Sequence, residues 1–492
     1  MAPAGQRRGA KGGADGVPAR RPFPLPARSL PSLRPYQAEA GRAIVDSVVN
    51  GRGLTFSVVM ARQAGKNELS AQVELFLLLK YARRPLDGIK CAPTFDPQGR
   101  ISMRRLWTRL TQGGLDLLAR KEEGRAIRFG QARQLFLSAE PSANVVGHTA
   151  GLLLEVDEAQ AVEREKFDRE FRPMAAPSGA TIVYYGTPWD DATLLEQAVQ
   201  SHLELERRDG VRRHFSADWT RAAEFNAPYG RFVEAERARL GENHPLFLTQ
   251  FSLKTVSGGG RLLTAGQRAQ LQGRHARRQA PAEGETYVAG LDLGGQEGIG
   301  EPESGQCRAR EHDATVLTIA RVVEPGADAL VPEPRLDVID HLALRGEAHD
   351  SLFSRLTDLL GQVWKVRRLA VDATGLGETL SRLLSRALGD QVVKPLRFTS
   401  ESKSRLGYDL LAAVNGGRLK MYAADGSPEY TEFWRQAEAA HVRYRPNRTM
   451  NFFVDPAEGH DDYLVSLSLA VWASRDAAPA RRIARGHIGS LN

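Results

Sequence analysis

The stretch Val58-Val59-Met60-Ala61-Arg62-Gln63-Ala64-Gly65-Lys66-Asn67-Glu68 decides how the first half of this chain folds. It leaves an apolar run, Leu54–Met60, and enters a helical pattern, so it lies at a strand–turn–helix corner. A Gly-Lys pair at such a corner is the core of a phosphate-binding loop. Gly65 lets the backbone approach an anion, amide N–H groups at the helix start point toward it, and Lys66 supplies a point charge near β- and γ-phosphates. Arg62, Gln63, Ala64 and Asn67 complete the loop. The pattern departs from G-x-x-x-x-G-K-[ST] at Met60 and at Asn67, and an Asn carbonyl ligates Mg²⁺ less readily there than a hydroxyl. An ordinary corner would read the same way, so the loop needs support from elsewhere.

The next run outward, Leu152-Leu153-Leu154-Glu155-Val156-Asp157-Glu158-Ala159-Gln160, supplies it. This is an apolar strand ending in two carboxylates, which are costly at a buried strand end without a cation or base chemistry. Asp157 is expected to hold Mg²⁺ and Glu158 to polarise the attacking water; an exposed strand-end turn is the alternative. Three further segments fall in the order an ATP-driven motor needs. Tyr36-Gln37 precedes the loop, where it could stack on adenine and read its polar edge. Cys91-Ala92-Pro93-Thr94 ends the next strand. Tyr185-Gly186-Thr187-Pro188-Trp189 ends the strand after the acids, placed to sense the γ-phosphate.

Around these motifs the runs 54–60, 88–92, 135–138, 152–156 and 181–185 read as buried strands alternating with helices. That is an α/β layer with a parallel-rich sheet. A second α/β unit opens at Tyr287, with strands expected at 287–293, 314–323, 335–343, 369–372 and 392–396 and a last helix at 461–473. The expected organisation is a flexible basic arm over 1–30, a motor domain over 31–214, a connecting subdomain and linker over 215–285, the second domain over 286–474 and a basic tail over 475–492.

The second unit carries acids at three chosen places. Asp292 sits within the apolar strand Val288-Ala289-Gly290-Leu291-Asp292-Leu293, Asp372 at the end of Ala370-Val371-Asp372, and Asp461-Asp462 at the start of the last helix. Either of the adjacent pair could be a helix cap. A strand acid, a strand-end acid and a helix-start acid together form the arrangement of an RNase H-like nuclease, which holds two ions about 4 Å apart. Oxygen-only ligation selects Mg²⁺ or Mn²⁺ over zinc. Asp461 is favoured over Asp462 as the ligand; Asp313, before the strand at 314, reads first as a turn residue and second as an auxiliary acid.

The totals agree with this reading. The chain has 492 residues and a formal net charge of +8, which suits a polyanionic partner. Two cysteines, Cys91 and Cys307, leave no disulfide framework and fit a reducing cytosol. No apolar run is long enough to span a bilayer, and no signal-type segment opens the chain. Phosphate contacts are expected from Arg100, Arg104, Arg105 and Arg109 in the first unit, and from Lys394, Arg397, Lys403 and Arg405 in the second; each could equally be a solvated surface charge.

On Tyr36-Gln37, Arg62-Gln63-Ala64-Gly65-Lys66, Val156-Asp157-Glu158-Ala159-Gln160, Gly186-Thr187-Pro188 and the acids at 292, 372 and 461/462, the sequence resembles the large terminase subunit of tailed double-stranded DNA phages. The resemblance runs from about Leu33 to Ala473. It implies an ASCE-type P-loop ATPase domain joined to an RNase H-like nuclease, ATP and Mg²⁺ as cofactors, and translocation of double-stranded DNA into a procapsid with endonucleolytic cutting of concatemers. It also implies a portal protein, a small terminase subunit and a homo-oligomeric ring as partners, in the host cytoplasm and outside the mature virion. Ring motors of this type complete the ATP site with a neighbour's arginine, for which Arg128 and Arg133 are guesses; Arg62 could act in cis. The rival readings are a superfamily 2-type helicase–nuclease, for which the chain lacks a second motor domain, and a degenerate terminase-like scaffold, hinted at by Asn67 alone.

Overall fold

The computed structural model describes residues 31–256, 259–294, 314–326, 329–345, 349–375, 377–445 and 447–475. The basic arm 1–30, Ser257-Gly258 of the linker, Asp313 and the tail beyond 475 lie outside the described residues. Eight strands form the first sheet: β1 Thr55–Met60, β2 Asp87–Ala92, β3 Ala119–Glu122, β4 Ala126–Phe129, β5 Ala132–Ser138, β6 Leu153–Val156, β7 Thr181–Gly186 and β8 His214–Ala217. Their spatial order is β3-β4-β5-β2-β6-β7-β1-β8. From β5 to β8 every pairing is parallel, while β3, β4 and β5 form an antiparallel edge.

The loop strand β1 and the acid-bearing strand β6 are not neighbours, because β7 runs between them. That inserted strand makes this a P-loop sheet of the additional-strand class, and the residues following all three strands gather at one end of the sheet. In an open parallel sheet that end is where ligands bind. Both faces of these strands are covered, which is why they read as continuous apolar runs. The helix α1 (Pro35–Val49) and the helix α2 (Lys66–Lys80) pack on one face.

The second sheet joins β10 Thr286–Asp292, β11 Thr315–Val323, β12 Arg335–Leu344, β13 Arg368–Asp372, β14 Val393–Leu396 and β15 Leu419–Lys420 in the order β14-β13-β10-β11-β12-β15. Strands β10, β11 and β12 are an antiparallel meander, and β13 and β14 run parallel to β10. This is the RNase H-like arrangement. A small third sheet unites β9 (Gly259–Arg261), β16 (His441–Tyr444) and β17 (Met450–Phe453).

Over 215–285, the stretch expected as a small connecting subdomain and linker, the chain packs into both units. Strand β8 pairs with β1, and Tyr229, Val233, Phe247 and Phe251 are buried in the first core. Further on, β9 pairs with β16 and Leu271 is buried in the second core. The reason is chemical: the helices over 219–250 carry large apolar side chains that need a core, and β1 offers an open edge. Among the described residues, no helix is long and apolar enough to cross a membrane.

Candidate active sites at two strand-end clusters

Beyond the end of β1, the chain turns through Gln63 (φ 64°) and Gly65 (φ 101°) into α2. At Gly65 a Cβ would meet the end of the Gln37 side chain, which would have to give up its place behind the loop, and it is the φ that demands glycine. Lys66 opens α2 almost buried, and its Nζ lies 3.5 Å from Glu158 Oε1. Asp157 and Glu158 follow β6, with Glu158 held in the left-handed region at φ 48°. A non-glycine residue in that conformation is uncommon and here occurs at the proposed water-activating acid. Together these groups line a cavity of about 570 Å³ that also receives Arg62, Asn67, Thr187 and Arg448.

Electrostatics separates the two acids. Burial pushes the Glu158 carboxyl up, but Lys66, Arg448 and the Gln160 amide (2.5 Å) outweigh it and hold the group at about 2. It is therefore a carboxylate. Asp157 is raised, by burial first and by the adjacent Glu158, against Lys90 and Lys66. Ser102, on helix α3 (Arg100–Gln112), donates its hydroxyl to Asp157 Oδ2 at 3.1 Å. The loop has no hydroxyl at position 67, and Ser102 gives Asp157 one from another helix; nothing local in the sequence pointed to it. The donors present (a lysine at a helix start, backbone amides, a carboxylate pair) fit a Mg²⁺–nucleoside triphosphate.

Behind the cavity, Lys90 is buried against Glu74 (3.0 Å), and Ser70 bonds Glu155 (2.8 Å) and Glu74 (3.1 Å). This network pins α2 to β2 and β6, fixing the loop relative to the acids. Lys90 and Glu74 are buried as an ion pair, while burial pushes the Glu155 carboxyl well up, toward its neutral form.

Tyr36 and Gln37 are placed differently from the expectation. Both are buried and neither lines the cavity. Tyr36 OH donates to the carbonyl of Ala64 at 2.8 Å and Gln37 Nε2 to that of Gly65 at 2.9 Å. They brace the phosphate loop from behind, because the loop's carbonyls need donors and α1 supplies them. Arg62 bonds Gln250 Oε1 at 2.8 Å while facing the cavity. Arg105 and Arg109, expected on DNA, both pair with Glu68 at 3.5 and 2.9 Å, and Arg109 is buried. Arg100 pairs with Asp96 at 3.1 Å, and Arg104 is exposed. Arg128 and Arg133 pair with Glu122 and Asp87 at the far end of the sheet from this cavity. Gln160 ties the acids to the end of β7, accepting from the Thr187 N–H at 3.3 Å.

The second cluster lies at the end of β10. The parallel register Leu291↔Val371 brings Asp292 beside Asp372, and the helix Asp462–Ser474 crosses the same sheet face. That helix comes so close that a Cβ at Gly290 would strike the Ser466 carbonyl; Ser466 Oγ donates to Gly290 O at 2.8 Å. Asp461 makes no side-chain cap hydrogen bond, so it is not spent on the helix start. Instead it faces Lys403 Nζ at 3.5 Å. Thr374 donates to Asp372 through N–H (2.9 Å) and hydroxyl (2.6 Å).

Asp292 is pushed well above the usual carboxylate range, by burial first and then by Asp462, Asp372 and Asp461, with Lys403 opposing. Burial also raises Asp372. Among the described residues no three such groups stand at ligating distance, so the acids converge without closing into a cage. Their surplus negative charge and all-oxygen donors fit hard divalent cations. Lys403, expected on DNA phosphates, is thus a member of this cluster. Lys394 donates to the Asp390 carbonyl at 3.1 Å, while Arg397 and Arg405 are exposed.

Three solved structures of the large terminase from one thermophilic bacteriophage share this fold. The first has a TM-score of 0.51 at 11% identity, covering 89% of this chain and 99% of that one. The form in complex with ADP gives 0.50 at 12% identity, with 88% and 98% covered. The form in complex with ATP-gamma-S gives 0.51 at 11%, with 90% and 99% covered. No family model matches the chain, and no curated protein matches it. At this identity the likeness is one of fold, and it extends over most of the chain.

Proposed function

We propose that this chain is the large subunit of a viral DNA-packaging terminase, an ATPase that drives double-stranded DNA and a metal-dependent endonuclease that cuts it. The observation that carries the reading is the meeting of Lys66, Asp157 and Glu158 in one cavity across three adjacent strands. Lys66 would hold the β- and γ-phosphates and Asp157, with Ser102, the accompanying Mg²⁺, which offsets phosphate charge when bound. Glu158, kept as a carboxylate, orients the attacking water and takes its proton. The water oxygen bonds to the γ-phosphorus as its bond to the bridging oxygen breaks, leaving ADP and phosphate. Thr187, linked to Glu158 through Gln160, carries the change to the end of β7.

In the second unit Asp292, Asp372, Asp461 and Asp462 would hold Mg²⁺ or Mn²⁺, whose Lewis acidity supports phosphodiester hydrolysis. The chain's own contribution is to orient those acids on two parallel strands and one helix, with Lys403 moderating their charge. The remaining partners follow from the same reading: a portal protein on a procapsid, a small terminase subunit and a ring of copies, in the host cytoplasm.

Plasmid cleavage and ATP hydrolysis measured side by side test the proposal. Asp292→Ala is expected to abolish cutting and spare ATP hydrolysis, and Lys66→Ala to do the reverse. A wild type that cuts nothing with either metal, or an Asp292→Ala variant that cuts normally, overturns the nuclease half. Strand displacement on a forked duplex would replace the packaging motor with a helicase.

A further inference from the structure

The turn between β16 and β17 belongs to the second unit by sequence, yet it ends inside the first unit's cavity. Arg448 Nη2 lies 3.0 Å from Thr187 Oγ1 and 3.3 Å from Glu158 Oε2. Glu158 is therefore flanked by two cations from different units, Lys66 and Arg448. The backbone at Arg448 is in the left-handed region, at φ 65°, where a long side chain is rarely found. The surroundings hold it there. Its N–H donates to the Arg445 carbonyl at 2.9 Å, and Tyr408 OH donates to its carbonyl at 2.9 Å. Trp189, just after β7, donates from Nε1 to the Arg445 carbonyl at 2.8 Å and meets the Tyr444 ring edge-on at 6.0 Å.

The same turn is fastened to the nuclease cluster. Tyr408 and Ser404 sit on the helix Ser400–Asn415, and Ser404 Oγ accepts from the Met450 N–H at 2.9 Å. That helix also carries Lys403, facing Asp461. One helix therefore holds the base of Arg448 and presents a cation to the second cluster. A guanidinium beside both the water-activating acid and the end of β7 stands where the terminal phosphate of a bound triphosphate must approach Glu158. Guanidinium is also the side chain best matched to phosphate oxygens.

We propose that Arg448 is the γ-phosphate-reading arginine of the ATP site, supplied within the chain by the nuclease unit. This rests on the motor reading above. With a triphosphate bound, the guanidinium has the γ-phosphate to hold as well as Glu158 and Thr187; with a diphosphate it has only those two side chains. The turn, and the helix that carries Lys403, are thereby tied to whether the γ-phosphate is present. Arg448 acts on the reacting phosphate from the unit that does not bind the nucleotide, which separates its role from that of Arg62 in the loop.

The test titrates full-length wild type, Lys66→Ala, Arg448→Gln and Arg448→Lys with ADP and with ATP-gamma-S, and measures kcat and KM for ATP. Gln keeps a polar chain without the charge, and Lys keeps the charge without the fork. Lys66→Ala is expected to lose both nucleotides. Arg448→Gln should bind ADP as wild type does but bind ATP-gamma-S about tenfold more weakly, the scale of one charge-assisted hydrogen bond. Its kcat should fall by at least ~10-fold, with partial rescue in Arg448→Lys. Unchanged discrimination between the two nucleotides overturns the proposal, as does an unchanged or increased kcat, which would make Arg448 a passive contact or a block. If Lys66→Ala binds and hydrolyses like wild type, the motor reading itself falls and takes this proposal with it.

Discussion

The two clusters of this chain treat buried charge in opposite ways. At the end of β6, Glu158 sits between Lys66 and Arg448 and is drawn down to about 2. At the end of β10, Asp292 sits among Asp462, Asp372 and Asp461 and is pushed up, with Lys403 in opposition. The first site balances Glu158 with two cations of its own, although burial still pushes the neighbouring Asp157 up, so a polyanion enters by exchanging one partner of those cations for another. The second site leaves its acids in excess, a state that bound cations relieve. The difference shows what each site is prepared to receive, and it follows from side chains alone.

The sharpest way to break this contrast is Asp292→Asn. Removing one charge should cut plasmid cleavage by more than ~100-fold, since even groups behind a metal ligand cost about 10–100-fold. The metal-free protein should meanwhile become more stable, by about 0.5–2 kcal/mol, because repulsion is relieved. The sign follows from linkage: a raised Asp binds its proton more tightly when folded, so stability falls as pH rises above the ordinary carboxylate range. Calorimetry without metal decides it; a variant that melts lower than wild type would mean that the acids are not in surplus.

A smaller effect is expected at the first site from Ser102→Ala. Losing the hydroxyl that serves Asp157 should raise the Mg²⁺ needed for half-maximal ATP hydrolysis by about 2–10-fold, the scale of one hydrogen bond. KM for ATP at saturating Mg²⁺ should change little. An unaltered Mg²⁺ requirement would return the ligand role to Asn67.

The smallest effect concerns the seam joining the clusters. His244 is buried, and its Nε2 meets the Tyr408 carbonyl at 3.1 Å. Burial, with Arg239 adding to it, lowers its pKa to about 4 against the Tyr408 carbonyl and Glu236. The folded state thus prefers neutral imidazole, so its contribution is present above the ordinary value of 6.5 and is lost as pH falls from there toward 4. The loss is at most about 1.4 kcal/mol per pH unit. Melting temperatures of wild type and His244→Asn between pH 7 and 5 measure it; parallel curves would remove His244 as a cause.

The strands around both clusters were legible because each is a buried apolar run with an acid or a glycine-lysine pair at its end. Shorter or more polar strands were not. Ala119-Arg120-Lys121-Glu122 carries three charges in four residues and still pairs as β3, since an edge strand faces water. His214–Ala217 became β8 because β1 had an unfilled edge. The identity of the acids was readable, but not which way Tyr36 and Gln37 turn, which depends on carbonyls exposed by the loop. Arg448 is separated from Glu158 by 290 positions, and no local pattern marks a turn residue whose partner lies in another unit.

Strand β3 has one more consequence. It closes the eight-stranded sheet with a row of backbone groups that no strand among the described residues covers, and Arg120 and Lys121 stand exposed along it, Lys121 4.4 Å above the Trp107 ring. A bare sheet margin invites a second chain to stack strand on strand and grow into an aggregate. Placing cations there makes such stacking self-repelling, so crowded copies are kept from zipping together along their sheets.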